Sequence, residues 1–395
     1  MLATIAIIII SVFMLLFAIN HFFGNKDLYE KTSHIPGPLA FPLIGSAYLF
    51  IGDISSTNIL QKISKVVYTY ASPCRFIVGI NVSVLIHEPE HIKTVLLSSK
   101  TTEKHAIYDF GKVWIGNGLV TAPRDVWRVH RKLIQPAFVP KILHSFVAIF
   151  QKTSILLVNE WAGQVDGPEF EVYSYLIFTS FRNICESSLG MPVTTKTKPI
   201  EQYIEACERV FEMAALRPTK PWLHSDTIFN MTPKSKIFYE AVKYLKSFTM
   251  NVIEERRNYL KSESFGNEDE IEKKTFLDLM LEMADNGHFT DEEVREHSDT
   301  MITAGYDTVA RVNCFTLLML ASHPDIQAER TRPSDPGHTR SIKPRGQIFR
   351  RAPGSTLNTK SPTFTGVTSV FHVDRGNSVG RYPLTHREQN ISDKL

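Results

Sequence analysis

The chain has 395 residues, a length that fits one large domain or two domains of ordinary size. A hydrophobic fraction of 43% and a charged fraction of 22% are typical of a globular protein, which excludes a disordered or collagen-like chain. Four cysteines without a CxxC pair exclude a disulfide framework or a zinc finger, and a net charge of +3 gives no support for nucleic acid as a partner.

An apolar run, Leu2–Ile19, opens the chain. As a helix it would span roughly 27 Å, the thickness of the hydrocarbon core of a bilayer. A cleaved signal peptide is the alternative, but no small-residue cleavage site follows the run. Because Lys26 and Lys31 lie on its C-terminal side, the rest of the chain is expected in the cytoplasm. We therefore predict one transmembrane anchor over residues 1–23.

A proline-rich segment follows the anchor, with the sequence Ile35-Pro36-Gly37-Pro38. Two prolines around a glycine cannot continue a helix, so residues 24–57 are predicted to form a bent connector. An ordinary loop fits the same residues, but the position between membrane and body favours a hinge.

Residues 58–327 are predicted to form a body dominated by α-helices. Apolar spacings of three and four indicate helices, and the alternation over Phe76–Ile86 predicts a short pair of strands. Glycine, serine and acidic residues predict an exposed loop over Ser262–Glu272. The predicted helices are Ile59–Tyr70, Glu90–Ser98, Val126–Phe138, Ile142–Trp161, Tyr173–Leu189, Ile200–Leu216, Lys236–Lys261 and Thr275–Met283.

A long helix is predicted at the end of this body. Thr290 and Glu293 form a capping-box pattern, and the apolar periodicity then continues to Ser322, before Pro324. A helix of this length spans roughly 50 Å, enough to cross a whole domain. Because Asp307 and Arg311 are the only charged residues between positions 301 and 321, we expect its second half to be buried.

Residues 328–395 differ in character from the body, with 12 Lys and Arg against 5 Asp and Glu and no apolar period. One interpretation is a basic tail that binds RNA or phospholipid. The interpretation we prefer is disordered sequence that comes from another reading frame or a retained intron, because it cannot bury enough apolar surface to fold.

Within the long helix, the segment Ala304-Gly305-Tyr306-Asp307-Thr308 combines poor helix formers with an acid and an alcohol. Gly305 would let a flat ligand approach the backbone, and the Thr308 hydroxyl can bond to the carbonyl four residues earlier or release it. Asp307 beside Thr308 suits proton delivery to a bound oxygen. The alternative is that Asp307 only pairs with Arg311, four residues later.

A second cluster lies in the segment 127–138. Trp127 and Arg131 are four residues apart, so the indole N–H and the guanidinium can bind one carboxylate from the same helix face. The alternative is a solvated basic helix. His130 between them is expected at the surface rather than as a ligand.

Together these features resemble the microsomal cytochrome P450 monooxygenases, in the branch with fatty-acid ω-hydroxylases and many insect enzymes. The similar features occur in the family's order: the anchor, the Pro-Gly-Pro hinge, the Trp127…Arg131 pair, the segment 304–308 and the run His323-Pro324-Asp325. The resemblance implies a helical P450 fold with a small N-terminal β element. It also implies haem b, an apolar substrate, a flavin-containing reductase and a single-pass endoplasmic reticulum location with the body in the cytoplasm.

By the same resemblance, Trp127 and Arg131 would hold a haem propionate. Ala304 and Gly305 would line the distal face, while Asp307 and Thr308 would deliver protons. Ala304 stands where the fatty-acid branch often has a glutamate, which weakens a specific assignment of ω-hydroxylation.

The departures from the family concern the proximal side of the haem. The family has a cysteine ligand in a loop of the form FxxGxRxCxG, and no cysteine follows Cys314. Cys314 lies about 240° from Thr308 around the helix, so it cannot face the same groove. Glu329-x-x-Arg332 matches the letters of the family's bracing pair only by coincidence, because it comes too soon after the long helix.

We therefore expect a partial P450 domain, truncated after the long helix, without a metal ligand and without monooxygenase activity of its own. The alternatives are a non-catalytic, membrane-anchored remnant that binds an apolar ligand or a partner, and a chain that does not fold stably.

Overall fold

The computed structural model describes residues 30–41, 44–51, 56–78, 81–98, 101–164, 167–193, 195–262 and 274–331, together with positions 4, 11, 12 and 15. The predicted anchor therefore lies almost entirely outside the described residues. The tail beyond residue 331 and the predicted loop after Ser262 also lie outside them.

The described part of the chain is mainly helical with one two-stranded antiparallel sheet, which confirms the predicted fold class. Strand β1 is Cys74–Val78 and strand β2 is Asn81–Leu85. The α-helices are α1 Ser56–Thr69, α2 Pro89–Leu97, α3 Asp109–Ile115, α4 Arg124–Ile134, α5 Pro140–Ser145, α6 Val147–Ala162, α7 Val172–Ser188, α8 Lys198–Thr219, α9 Asp226–Asn230, α10 Pro233–Ser262, α11 Phe276–Asp285, α12 Asp291–Ser322 and α13 Pro324–Thr331.

The proline-rich segment packs directly on the small sheet. The Arg75 N–H of β1 donates to the Pro36 carbonyl oxygen at 2.7 Å. A Cβ atom on Gly37 would lie only 2.0 Å from the Arg75 carbonyl oxygen, so only glycine permits this approach. The segment predicted as a connector is thus attached to the sheet at this point.

Helix α12 passes through the main core, with α7 along one side. A Cβ atom on Gly305 would lie 2.5 Å from Cδ1 of Ile184, so the missing side chain lets α7 and α12 pack closely. Phe181 of α7 packs edge to face on Tyr306 of α12, at 5.6 Å between ring centroids. Residues from α10 and α11, such as Leu245 and Leu277, complete the same buried cluster.

The start of α12 is as predicted. The Thr290 hydroxyl accepts from the Glu293 N–H at 3.2 Å, and the Glu293 carboxylate accepts from the Thr290 N–H at 2.8 Å. This capping box satisfies two of the N–H groups that a helix N-terminus leaves free. The helix then continues for 32 residues to Ser322.

The second half of α12 differs from the sequence-based expectation. Val309, Val312, Phe315 and Met319 are exposed, with Val312 at 64%. The expected burial is therefore wrong for this face of the helix. A low content of charge allows burial, but α7 covers one side of α12 and the described elements leave the opposite side open.

One helical stretch in the described residues, Pro140–Ala162, is long and apolar enough to cross a membrane by length and composition. It is held to α7 by polar contacts. The Thr153 hydroxyl donates to Asn183 Oδ1 at 2.5 Å, and Lys152 pairs with Glu186 at 3.0 Å. These contacts place the stretch on the side of the helical body.

Candidate functional site

One face of α12 carries the residues that the sequence singled out. Ala304, Thr308 and Phe315 follow His297 by 7, 11 and 18 positions, which places all four within roughly 20° of one direction around the helix. At His297 this face packs against α4, whereas Ala304, Thr308 and Phe315 are exposed. The result is an open stripe on the side of α12 that α4 borders.

The Thr308 hydroxyl lies on this open stripe. It donates to the Ala304 carbonyl oxygen at 2.6 Å, the back-bonding that the sequence predicted. Gly305, by contrast, faces Ile184 of α7 rather than the stripe. The structure therefore brings Ala304 and Thr308 together on the open face and assigns Gly305 to packing between helices.

Asp307 is held on a different side of α12. Its carboxylate accepts from Arg311 Nε at 2.9 and 3.0 Å and from the Tyr173 hydroxyl of α7 at 3.0 Å. The ion pair named as the alternative from the sequence is thus present. Burial, followed by the charge of Asp307, raises the pKa of the Tyr173 hydroxyl, which remains a proton donor at neutral pH. Asp307 and Thr308 project about 100° apart.

Trp127 and Arg131 lie on one face of α4 and are both half-buried. Among the described residues, neither the Trp127 indole N–H nor the Arg131 guanidinium has a hydrogen-bond or ion-pair partner. Two free donors of this kind can hold a carboxylate by charge-assisted hydrogen bonds. The role of the pair as a carboxylate clamp stays a prediction.

His130 is the residue of α4 that the sequence placed wrongly. It is 8% exposed, and its Nδ1 lies 3.0 Å from Nε2 of His297. Its Nε2 lies 3.6 Å from the Glu293 carboxylate. The side chain is buried because α4 presents this face to α12, whereas Trp127 and Arg131 lie on other parts of the helix surface.

A buried ionic network at the start of α12 was not predicted. Arg295 is 1% exposed and pairs with Asp299 and with Glu292, the latter at 2.7 Å. The Thr249 hydroxyl donates to Asp299 at 2.5 Å, and Arg295 also donates to the Trp114 carbonyl oxygen at 3.1 Å. The spacing of three and four between these charges was the available signal, but it is equally typical of a solvated helix face.

All four cysteines of the chain belong to the described residues. Cys74, Cys185 and Cys207 are buried, and Cys314 is half-buried. Burial raises the pKa of each thiol, so none is a thiolate at neutral pH. Cys314 packs against the main core, away from the open stripe, as its position on the helix predicts.

The family model of cytochrome P450 matches residues 35–332 of this chain. The chain belongs to the cytochrome P450 family. It is 29% identical to cytochrome P450 4c3 of Drosophila melanogaster, over 80% of this chain and 62% of that protein. It is 29% identical to cytochrome P450 4c21 of Blattella germanica and 28% identical to human cytochrome P450 4V2, covering 79% and 77% of this chain. The chain spans 60–64% of the length of these three relatives.

Membership of the cytochrome P450 family implies an oxidoreductase lineage with haem as the cofactor. The open stripe with Ala304 and Thr308 leaves room for a flat ring, and the free donors of Trp127 and Arg131 suit a carboxylate such as a propionate. For iron, the four cysteines offer thiols rather than thiolates at neutral pH, and three of these thiols are buried.

Proposed function

We propose that this chain is a haem-binding domain of the monooxygenase type, in which Trp127 and Arg131 hold a haem propionate and Ala304 lies against the distal face. The observations that support this are the free donor pair of α4, a helix that contacts α12 through His130 and His297, and the open stripe of α12. An exposed helix face together with two unpaired donors suits a flat, largely apolar ligand that carries carboxylates.

In this proposal the haem, when bound, supplies the chemistry of oxygen activation, and the chain supplies protons. The Thr308 hydroxyl can leave the Ala304 carbonyl and donate to a ligand on the open stripe. Asp307 is the acid–base group of the pair. To act towards Thr308, its carboxylate has to leave Arg311 and Tyr173, because both hold it on the α7 side.

We further propose that the chain by itself does not form a thiolate-ligated haem centre and is not an active monooxygenase. The support is that Cys74, Cys185 and Cys207 are buried and that Cys314 is half-buried and packs against the main core. A second candidate function is a non-catalytic protein that binds an apolar ligand or a partner. The exposed apolar residues Val309, Val312, Phe315 and Met319 favour it, since they offer an apolar surface without any need for iron.

The remaining parts of the proposal concern surroundings and partners. We propose an apolar small-molecule substrate, a flavin-containing reductase as redox partner and a single-pass location in the endoplasmic reticulum membrane with the body in the cytoplasm. The apolar run Leu2–Ile19 and the exposed apolar residues of α12 support these assignments. Haem is the cofactor in this proposal, and nucleic acid has no role.

Haemin titration of the purified chain, followed by the Soret absorbance, tests the proposal. Arg131→Ala should weaken haemin binding by about tenfold or more, because a charge-assisted hydrogen bond is lost. Arg128→Ala is the matched control, an exposed cation of the same helix, and should leave binding unchanged. Equal effects of both variants would show that α4 attracts haemin only by its overall charge.

The reduced carbon monoxide difference spectrum tests the proposed lack of a thiolate. We expect haemin-loaded protein to show no thiolate-type band. A thiolate-type band would overturn this part of the proposal, and serine variants of the four cysteines would then identify the ligand.

A further inference from the structure

The side chains of Glu293, His130 and His297 form a short polar row inside the contact between α4 and α12. His130 Nδ1 lies 3.0 Å from His297 Nε2, and His130 Nε2 lies 3.6 Å from the Glu293 carboxylate. The Phe289 ring packs edge to face on both imidazoles, at 5.1 and 5.4 Å between centroids. Both imidazoles are buried, and the contact is therefore shielded from solvent.

The neighbouring groups determine which imidazole nitrogens of His130 and His297 carry a proton. A carboxylate accepts hydrogen bonds only, so His130 Nε2 carries the proton that faces Glu293. His130 Nδ1 then accepts from the Nε2–H of His297. The remaining nitrogen, His297 Nδ1, is buried without a hydrogen-bond partner. Burying this nitrogen as an unpaired acceptor costs less free energy than burying it as an unpaired N–H. The proton of His297 is therefore favoured on Nε2, where it donates to His130 Nδ1.

The charges around the pair are few. Among the described residues, Glu293 of α12 is the charged side chain that faces the two rings, and the turn before α12 contributes the Phe289 ring. The other titratable groups nearby lie on α4 and on that turn, namely Arg128, Arg131, Lys132 and His288.

We propose that His130 and His297 are positioning residues that hold α4, and with it Trp127 and Arg131, against α12 while they are neutral, and that protonation in mild acid releases α4. The reason is geometric. A proton added at His130 Nδ1 would oppose the His297 Nε2–H across 3.0 Å. If His297 shifts its proton to Nδ1 instead, that N–H is buried without a partner. Either state breaks or weakens the hydrogen bond between the two imidazoles.

Burial, and then the neighbouring imidazole, lowers the pKa of His297 to about 4. Burial also lowers the pKa of His130, although Glu293 opposes this shift. Both rings are therefore neutral at pH 7.5. The release of α4 stands independently of haem, whereas its consequence for ligand binding rests on the function proposed above.

Hydrogen exchange of the full chain, measured by mass spectrometry between pH 7.5 and pH 5 and corrected for intrinsic rates, tests the release. Protection of the α4 amides should fall at least tenfold at pH 5, while the α7 amides keep theirs. His297→Gln should keep α4 protected at both values, because the amide N–H replaces the imidazole donor and does not titrate. His297→Leu should leave α4 less protected throughout, and His144→Gln, at an exposed histidine of α5, should behave as the wild type.

The proposal is overturned if His297→Gln shows the wild-type pH profile, or if α7 loses protection together with α4. Haemin affinity, measured in parallel, should follow the α4 profile in the wild type and stay constant in His297→Gln. If haemin fails to bind any variant while the exchange profiles are as expected, the haem-binding function is refuted and the positioning role of the histidines is supported.

Discussion

The two halves of α12 show how one continuous helix can be organised by different forces. Eight of its nine buried residues lie in the first half, 291–306, where Arg295, Asp299 and His297 are fixed by partners from neighbouring helices. In the second half, 307–322, only Ala310 is buried, although this half is the more apolar by sequence. Burial along α12 therefore follows the position of the packing partners rather than the hydrophobicity of the helix.

The largest difference between the halves should come from the buried ion network. Arg295→Ala leaves Asp299 buried without its cation, which should destabilise the protein by about 3–5 kcal/mol in urea unfolding. Arg209→Ala, at an exposed ion pair of the same helical spacing, should cost less than about 1 kcal/mol. Similar losses for both variants would mean that the network at the start of α12 contributes no more than a surface pair.

A pair of apolar truncations compares the halves more directly. Ile302→Ala removes a fully buried side chain and should cost about 3 kcal/mol of unfolding free energy. Val312→Ala, at an exposed side chain of the second half, should change stability by less than about 0.5 kcal/mol. A large loss at Val312 in solution would show that another part of the molecule covers this side chain.

A smaller effect should appear in the pH dependence of stability. The pKa of His297 is about 4 in the folded protein and about 6.5 in the unfolded chain, so the unfolded chain binds more protons between these values. The His297 contribution to stability is therefore complete above pH 6.5 and falls as the pH decreases. Between pH 7 and pH 5 the wild type should lose about 2 kcal/mol more than His297→Gln.

Asp299 has the opposite effect on stability over the same pH range. Burial raises its pKa in the folded protein, so its contribution to stability increases as the pH falls. The wild type and His297→Gln must therefore be compared at each pH. Asp299 is present in both, so its effect cancels in the difference. Parallel pH profiles of wild type and His297→Gln would contradict the neutral, buried state of His297.

The smallest expected effect lies at the boundary between the halves. Tyr173→Phe removes the hydroxyl that donates to Asp307 and should cost about 1 kcal/mol. Tyr175→Phe is the matched control on the same helix, and its ring packs on Phe170. If thermal unfolding shifts equally in both variants, the hydroxyl of Tyr173 contributes nothing specific to the position of Asp307.

Several features of the fold and of the site were predictable because they depend on neighbours in sequence. The capping box of Thr290 and Glu293, the strand pair near Phe76 and the back-bond of Thr308 all involve residues a few positions apart. The Asp307–Arg311 pair was predictable as an alternative for the same reason. Local spacing determines such contacts, since an α-helix fixes the direction of each side chain.

The tertiary structure alone decided which faces are covered. His130 was expected at the surface and is buried, and the second half of α12 was expected to be buried, whereas its residue Val312 is 64% exposed. Gly305 lets α7 pack closely on α12, and the Tyr173 hydroxyl donates to Asp307, which lies 134 positions later in the chain. The physical reason is that periodicity gives a helix its faces, but the partner that covers each face comes from elsewhere in the chain and depends on how the helices are arranged in space.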